Sequence, residues 1–130
     1  MLYFSYGMNT NSRHMRLDAV RLGPALLLNY SWEMLQFANV YPTEGQDSLG
    51  ILWDINDETL GELDIREGYP TFYDRCMANV IHRGEHVQAW VYFMNDRYRV
   101  DLRNCKPSEY YVESVTEGFA EDGIAPTELN

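Results

Sequence analysis

Residues 72–94 read FYDRCMANVIHRGEHVQAWVYFM. Two runs rich in aromatic and β-branched residues, Phe72 to Ile81 and His86 to Met94, flank the tetrapeptide His82-Arg83-Gly84-Glu85. A short glycine-bearing break between two such runs reads as a β-hairpin. In the second run Val87, Ala89, Val91 and Phe93 alternate with Gln88, Trp90, Tyr92 and Met94. The second set is mostly apolar and aromatic rather than polar, so both faces of that strand are expected to be covered.

Upstream of the hairpin, Gly68 stands where a helix ends. Asp57 is the expected cap of that helix, and Leu60, Leu63 and Ile65 its inner face, although Gly61 weakens it. Leu49 to Ile55 reads as an apolar strand, with Gly50 marking a close backbone approach. Thr43 to Ser48 is polar and expected to be a loop. Part of Trp32 to Tyr41 and all of Ala25 to Asn29 read as strands, with Gly23 and Pro24 as punctuation. Leu2 to Tyr6 is a first strand, broken by Gly7. Asn11 or Ser12 then caps a helix expected to reach Val20, with Arg13, Arg16 and Arg21 largely on its wet side.

Downstream, Asn95 to Lys106 is expected to be a loop with a short strand at Tyr98 to Leu102. Ser108 caps the last helix, whose apolar stripe is Tyr111, Val112, Val115 and Phe119. Glu109, Glu113, Glu117 and Glu121 recur every four residues on it. Like charges at that spacing disfavour an isolated helix. A solvated acidic face is expected, with the helix held by the sheet; the other reading is a basic surface facing the column. Strands and helices do not alternate as βαβαβ. The expected fold is α+β, a single domain over residues 1–130, and not a doubly wound sheet.

Composition narrows the function classes. The chain has 130 residues, 45% of them hydrophobic and 14% aromatic, enough to build a core. Twenty acidic against ten basic residues give a formal charge of -10. Phosphates would meet a negative field, so no nucleic-acid partner is expected. No stretch of eighteen apolar residues is present, and no membrane span is expected. The start carries no basic leader, so a signal peptide is not expected either. Cys76 and Cys105 lack the spacing of a redox pair or a zinc knuckle. They are expected to be buried structural thiols in a cytoplasmic protein.

Three histidines, His14, His82 and His86, offer no metal-ligand pattern. G-x-S-x-G and G-x-G-x-x-G are both absent. Two local features remain. Tyr6-Gly7-Met8-Asn9 lies between a strand and a helix, where a glycine can expose successive backbone N–H groups to a carboxylate or an oxyanion. From spacing alone, the favoured reading is a strand-to-helix turn that simply needs glycine. Leu63-Asp64-Ile65-Arg66-Glu67-Gly68 places a carboxylate at a helix end, beside Tyr69 and Tyr73. Desolvation there would raise its pKa and make it a usable base. The plainer alternative is a surface Glu67 paired with Arg66 or left in solvent.

These features also resemble the gamma-glutamylcyclotransferase-like (AIG2-like) family. YFSYGMN, residues 3–9, is similar to the family's Y-F-x-Y-G-S-N opening. Leu49 to Ile55 resembles its G-x-[LV]-[WY]-x-[LI] strand. LDIREGYPTFYDR resembles L-D-x-x-E-G followed by Y-x-R. PSEYYVESVTEGFAEDGIAP resembles the P-S-x-x-Y helix with a downstream G-[LI]-x-P. The order is kept over nearly the whole chain. The resemblance implies a small barrel-like mixed sheet with flanking helices and a cavity at one side. It implies conversion of a small-molecule gamma-glutamyl amine or amide to 5-oxoproline and a free amine, with no cofactor and no metal. Glu67 matches the catalytic acid/base of the enzyme branch. Tyr6, Gly7, Met8 and Asn9 match the substrate-binding loop, and Tyr73 and Tyr111 match aromatics near the pocket. Such a protein would act as a monomer or a homodimer.

Met8 departs from the family's usual Ser, keeping the backbone N–H and losing the hydroxyl. That departure motivates a second reading, a non-catalytic binding or regulatory domain on the same fold. The acidic helix motivates a third, an interaction module for a basic partner.

Overall fold

The computed structural model describes residues 1–125. β1 (Leu2–Ser5) runs into a 3-10 turn at Met8–Thr10 and a single helical turn, α1 (Ser12–Met15). β2 (Ala19–Met34) and β3 (Ala38–Ile55) form a long antiparallel hairpin. α2 (Asp57–Glu67) follows, then the hairpin of β4 (Tyr73–His82) and β5 (Glu85–Met94). α3 (Asp96–Leu102) and α4 (Glu109–Ala120) complete the order.

The strands close into a barrel in the order β1-β3-β2-β4-β5. Closure is made by a parallel pairing of β5 with β1, in register at Tyr3 and Trp90. Side-chain alternation divides the interior into two layers. Phe4, Leu27, Leu52, Val80, Ala89 and Val91 fill the barrel. Tyr3, Ile51, Trp53, Tyr92 and Met94 point the other way, and pack with Met15, Leu63, Val115 and Phe119 of the helices. This is why Tyr92 and Met94 could be apolar opposite an apolar set: helices cover the outer face of β5.

Several local expectations hold. Arg83 and Gly84 form the hairpin turn, both at positive φ. Ser108 caps α4 by accepting the Tyr111 N–H. Gly68 ends α2 in the left-handed region, and the N–H groups of Gly68 and Tyr69 close on the carbonyls of Ile65 and Asp64. A Cβ on Gly50 would fall 2.4 Å from the Ser5 carbonyl oxygen, the expected close approach.

Others are corrected. The helix expected to reach Val20 stops at Met15, because β2 begins at Ala19 and pairs with β3. Thr43 to Ser48 runs within β3 rather than as a separate loop: Asp47 and Ser48 pair with Leu28 and Leu27, and the residues before them form a bulge at the register shift between Leu28 and Tyr30. Asp96 to Leu102 is helix rather than loop and strand. Asn56, not Asp57, caps α2 by accepting the Thr59 N–H. Ile65 is 83% exposed and Val112 41%, so neither belongs to an inner face. Ser114 and Gly118 lie on α4's buried face instead. Cys105 is exposed and Cys76 only partly covered, so neither is a buried structural thiol.

α4 is seated by more than its apolar stripe. Val115 and Phe119 are fully buried, worth about 2 kcal/mol each. A Cβ on Gly118 would stand 2.2 Å from Thr10 Oγ1 and 2.6 Å from Asn11 N, so the helix lies directly on the 3-10 turn. Half of the acidic column meets basic or polar groups. Glu117 pairs with Arg13, and Glu121 accepts from Ser12 N and Oγ. Arg21, expected on a wet face, instead donates to Thr10 O, Gly118 O and Asp122. Among the described residues, no helix is long and apolar enough to cross a membrane.

Candidate active site

A cavity of about 490 Å³ opens where β1, the turn after it, the end of α2 and the start of α4 meet. That size suits a small metabolite. Its wall includes all seven residues that the sequence singles out: Tyr6, Gly7, Met8, Asn9, Glu67, Tyr73 and Tyr111.

Glu67 is the last residue of α2, and the glycine turn after it directs the carboxylate to the cavity rather than to bulk water. Its pKa is raised from 4.5 to about 7. Burial is the main cause, opposed by the Arg66 charge and by a hydrogen bond from Asn9. The paired or solvated surface glutamate is thereby set aside.

Asn9 is an organiser of the wall. Its Oδ1 accepts from Arg66 Nη1 at 2.8 Å, and its Nδ2 donates to Tyr3 Oη at 3.0 Å and to Glu67 Oε1 at 3.1 Å. The orientation of the amide follows from chemistry: guanidinium can only donate, so the carbonyl oxygen must face Arg66 and the NH2 must face the carboxylate. Arg66 also donates to the carbonyls of His14 and Met15, capping α1. Its guanidinium is therefore committed to the protein at three oxygens.

The remaining wall is aromatic and held from behind. Tyr6 donates to Tyr92 O at 2.6 Å, and its own carbonyl accepts from Trp32 Nε1. Tyr73 donates to Ala38 O at 2.7 Å, while the Ala38 N–H donates to Tyr111 Oη at 2.9 Å. Two tyrosines thus bracket Ala38, the first residue of β3. A Cβ on Gly7 would fall 2.9 Å from Tyr111 Oη, so glycine is needed there for contact, not only for a turn. Burial pushes the Tyr111 hydroxyl up to about 12, and raises Tyr3, Tyr6 and Tyr73 further. All four are neutral at physiological pH.

Asp64, one turn before Glu67, accepts from Arg75 Nε at 2.8 Å, Arg75 Nη2 at 3.2 Å and Tyr92 Oη at 2.6 Å. The Arg75 guanidinium also lies 4.4 Å from the ring centroids of both Tyr69 and Trp90. This set pins the end of α2 to β4 and β5. Asp64 and Arg75 are the positions that match the D of L-D-x-x-E-G and the R of Y-x-R, and here they pair with each other. Sequence reasoning did not single out Tyr3, Arg66 or Tyr92. Only the tertiary approach of β1 to α2 makes them site residues. Among the described residues, no three His, Cys, Asp or Glu side chains converge as a metal site.

Comparison with known proteins follows the same outline. A family profile described as "Gamma-glutamyl cyclotransferase, AIG2-like" matches residues 3–113. A Drosophila melanogaster protein provisionally named a gamma-glutamylcyclotransferase is 30% identical over 100 residues, covering 70% of this chain and 64% of its own length. The match therefore spans less than two thirds of that relative. A solved structure titled "Gamma-glutamyl cyclotransferase" superposes with a TM-score of 0.81 at 23% identity, over 98% of this chain and 82% of the other. An uncharacterised Homo sapiens protein gives 0.80 at 22%, over 98% and 83%. YkqA of Bacillus subtilis gives 0.75 at 21%, over 98% and 50%. The three structures share the barrel and its flanking helices. With the profile match running from β1 into α4, the chain belongs to the gamma-glutamyl cyclotransferase, AIG2-like family.

Proposed function

We propose that the protein is a cofactor-free gamma-glutamyl cyclotransferase, acting on a gamma-glutamyl amine or amide and releasing 5-oxoproline and the free amine. One observation carries the reading. A carboxylate with a pKa of about 7 faces an open cavity and is held by a side-chain amide. Family membership supports it.

In this reaction the substrate's α-amine attacks its own gamma-carbonyl carbon. A new C–N bond closes the five-membered ring, and the C–N bond to the leaving amine breaks. Glu67 takes the proton that the attacking nitrogen loses and returns it to the departing nitrogen, so no proton is gained or lost overall. A pKa near 7 suits both halves of that exchange. Because the attack is intramolecular, the protein's main task is to hold a folded-back substrate. The wall of buried tyrosines supplies the shape.

The N–H groups of Gly7 and Asn9 have no acceptor among the described residues. They are donors for the substrate's carboxylate, which must be bound against a chain charge of -10. Asn9's side chain has a different task from the one its loop position suggests: it serves Glu67. Met8 lines the cavity without closing it.

The test is a screen of gamma-glutamyl compounds for 5-oxoproline release, with Glu67→Gln as control. Loss of the acid/base should lower kcat at least about 10²-fold. Near-wild-type turnover by Glu67→Gln rejects the role, and no release from any compound rejects the activity.

A further inference from the structure

The hydroxyl protons of the cavity can be accounted for one by one. Five tyrosines line it: Tyr3, Tyr6, Tyr73, Tyr92 and Tyr111. Tyr6 gives its proton to Tyr92 O, Tyr73 to Ala38 O, and Tyr92 to Asp64 Oδ1. These three hydroxyls are spent on holding the wall. Tyr3 and Tyr111 do the opposite. Tyr3 Oη accepts from Asn9 Nδ2, and Tyr111 Oη accepts from Ala38 N. Neither proton finds an acceptor among the described residues. A buried O–H left without an acceptor is costly, and a ligand oxygen is the remedy.

The two spare donors differ in place. Tyr111 lies against Gly7, on the side of the loop N–H groups. Tyr3 lies on the side of Glu67, and one amide nitrogen, Asn9 Nδ2, donates to both of them. Carboxylate and phenol are thus the two ends of a fork. During ring closure, the attacking nitrogen and the carbonyl oxygen sit on the same carbon. A base serving the nitrogen and a donor serving the oxygen must be neighbours of this kind. Tyr3 is only 3% exposed, so its donor acts out of competition with bulk water. Arg66 spends three of its five N–H donors on Asn9, His14 and Met15, which holds its guanidinium behind Asn9.

We propose that Tyr3 is a second catalytic residue, whose O–H donates to the gamma-carbonyl oxygen of the substrate as negative charge builds on it. The proposal rests on the cyclotransferase reading above. No proton is transferred: Tyr3 stabilises the oxyanion through the hydrogen bond and keeps its own proton when the C–N bond to the leaving amine breaks. Asn9, by accepting Arg66 and donating to Tyr3, fixes the phenol rather than touching the substrate.

Tyr3→Phe removes one oxygen and keeps the ring, including its edge-on contact with Tyr92 at 5.9 Å. With a gamma-glutamyl substrate that the wild type turns over, kcat should fall about 10²-fold while KM changes less than about threefold. The midpoint of the pH profile should stay in place, because the proton still moves through Glu67. A kcat within twofold of wild type overturns the role of Tyr3 and leaves the cyclotransferase reading standing. A loss that appears only as a moved pH midpoint also overturns it, since Tyr3 would then act by tuning Glu67. If the wild type releases no 5-oxoproline while Glu67→Gln is equally silent, both readings fall together. Should Tyr3→Phe not fold, a difluorotyrosine at position 3 serves instead. Its more acidic hydroxyl must change kcat at a pH where it stays protonated, and an unchanged kcat overturns the proposal.

Discussion

Replacing Glu67 with glutamine should stabilise the protein in alkaline solution, and the size of the effect follows from where the carboxylate sits. In the folded state its pKa is about 7 against an ordinary 4.5, chiefly because burial disfavours the charge. At ~1.36 kcal/mol per tenfold change in proton affinity, the difference is about 3 kcal/mol. The raised value means that the folded protein holds a proton which the unfolded chain has already lost. Stability tied to this group is fully present below pH 4.5 and is lost as pH rises through about 7. Glutamine has the same shape, keeps an oxygen for Asn9 Nδ2, and has no charge to desolvate. Urea unfolding of both proteins at pH 5 and pH 8.5 isolates the effect, because every other titrating group cancels in the double difference. About 2.5 kcal/mol of the total falls between those two pH values, which is a relative shift in midpoint of about 1–2 M urea. A double difference under about 0.5 kcal/mol would show that the carboxylate is solvated in the folded state. The account of its raised pKa would then be refuted. No substrate is needed for this measurement, so it stands apart from the assignment of activity.

Two further perturbations address the site and its seat. With any substrate that is turned over, kcat/KM should rise with pH through about 7 as Glu67 ionises; Asn9→Ala removes a donor that favours the ionised form and should move that limb about one pH unit higher, read from the pH–rate profile. Gly118→Ala places a methyl group against Thr10 and the Asn11 backbone, and should cost about 1–3 kcal/mol with an unchanged denaturant m-value, measured by urea unfolding.

What the chain discloses about itself depends on range. Gly68, the Arg83-Gly84 turn and the Ser108 cap are decided within four or five residues, and each is legible in sequence. Thr43 to Ser48 contains Glu44, Gly45, Gln46 and Asp47, a loop-like composition, yet it runs within β3 as a bulge whose flanks are fixed by pairing of Pro42 with Tyr30 and of Asp47 and Ser48 with Leu28 and Leu27. Register with a neighbour outweighs propensity there. Arg21 is similar: a charged residue after a short helix reads as solvated, whereas its guanidinium is drawn inward by the Gly118 carbonyl and the Asp122 carboxylate, far along the chain. At the site, Glu67 and the Gly7 loop are visible as local motifs and as a family resemblance. Tyr3 looks like any aromatic strand residue. Its importance lies in facing Asn9 and Glu67, which is a fact of the closed barrel and not of any window of sequence.

The barrel's closure carries a consequence for how the molecule responds to a ligand. β5 and β1 pair in register at a single position, Tyr3 opposite Trp90. Side chains supplement that join: the Tyr6 hydroxyl reaches across to the Tyr92 carbonyl, and the Tyr3 and Tyr92 rings meet edge to face. The cavity lies on this same seam. The zip of the barrel and the grip on the ligand are therefore one structure. A molecule that binds the cavity only when the barrel is folded adds its binding free energy to the cohesion of the strands that form it. Amide exchange along β1 and β5 should slow when the cavity is filled, including at residues the ligand never touches.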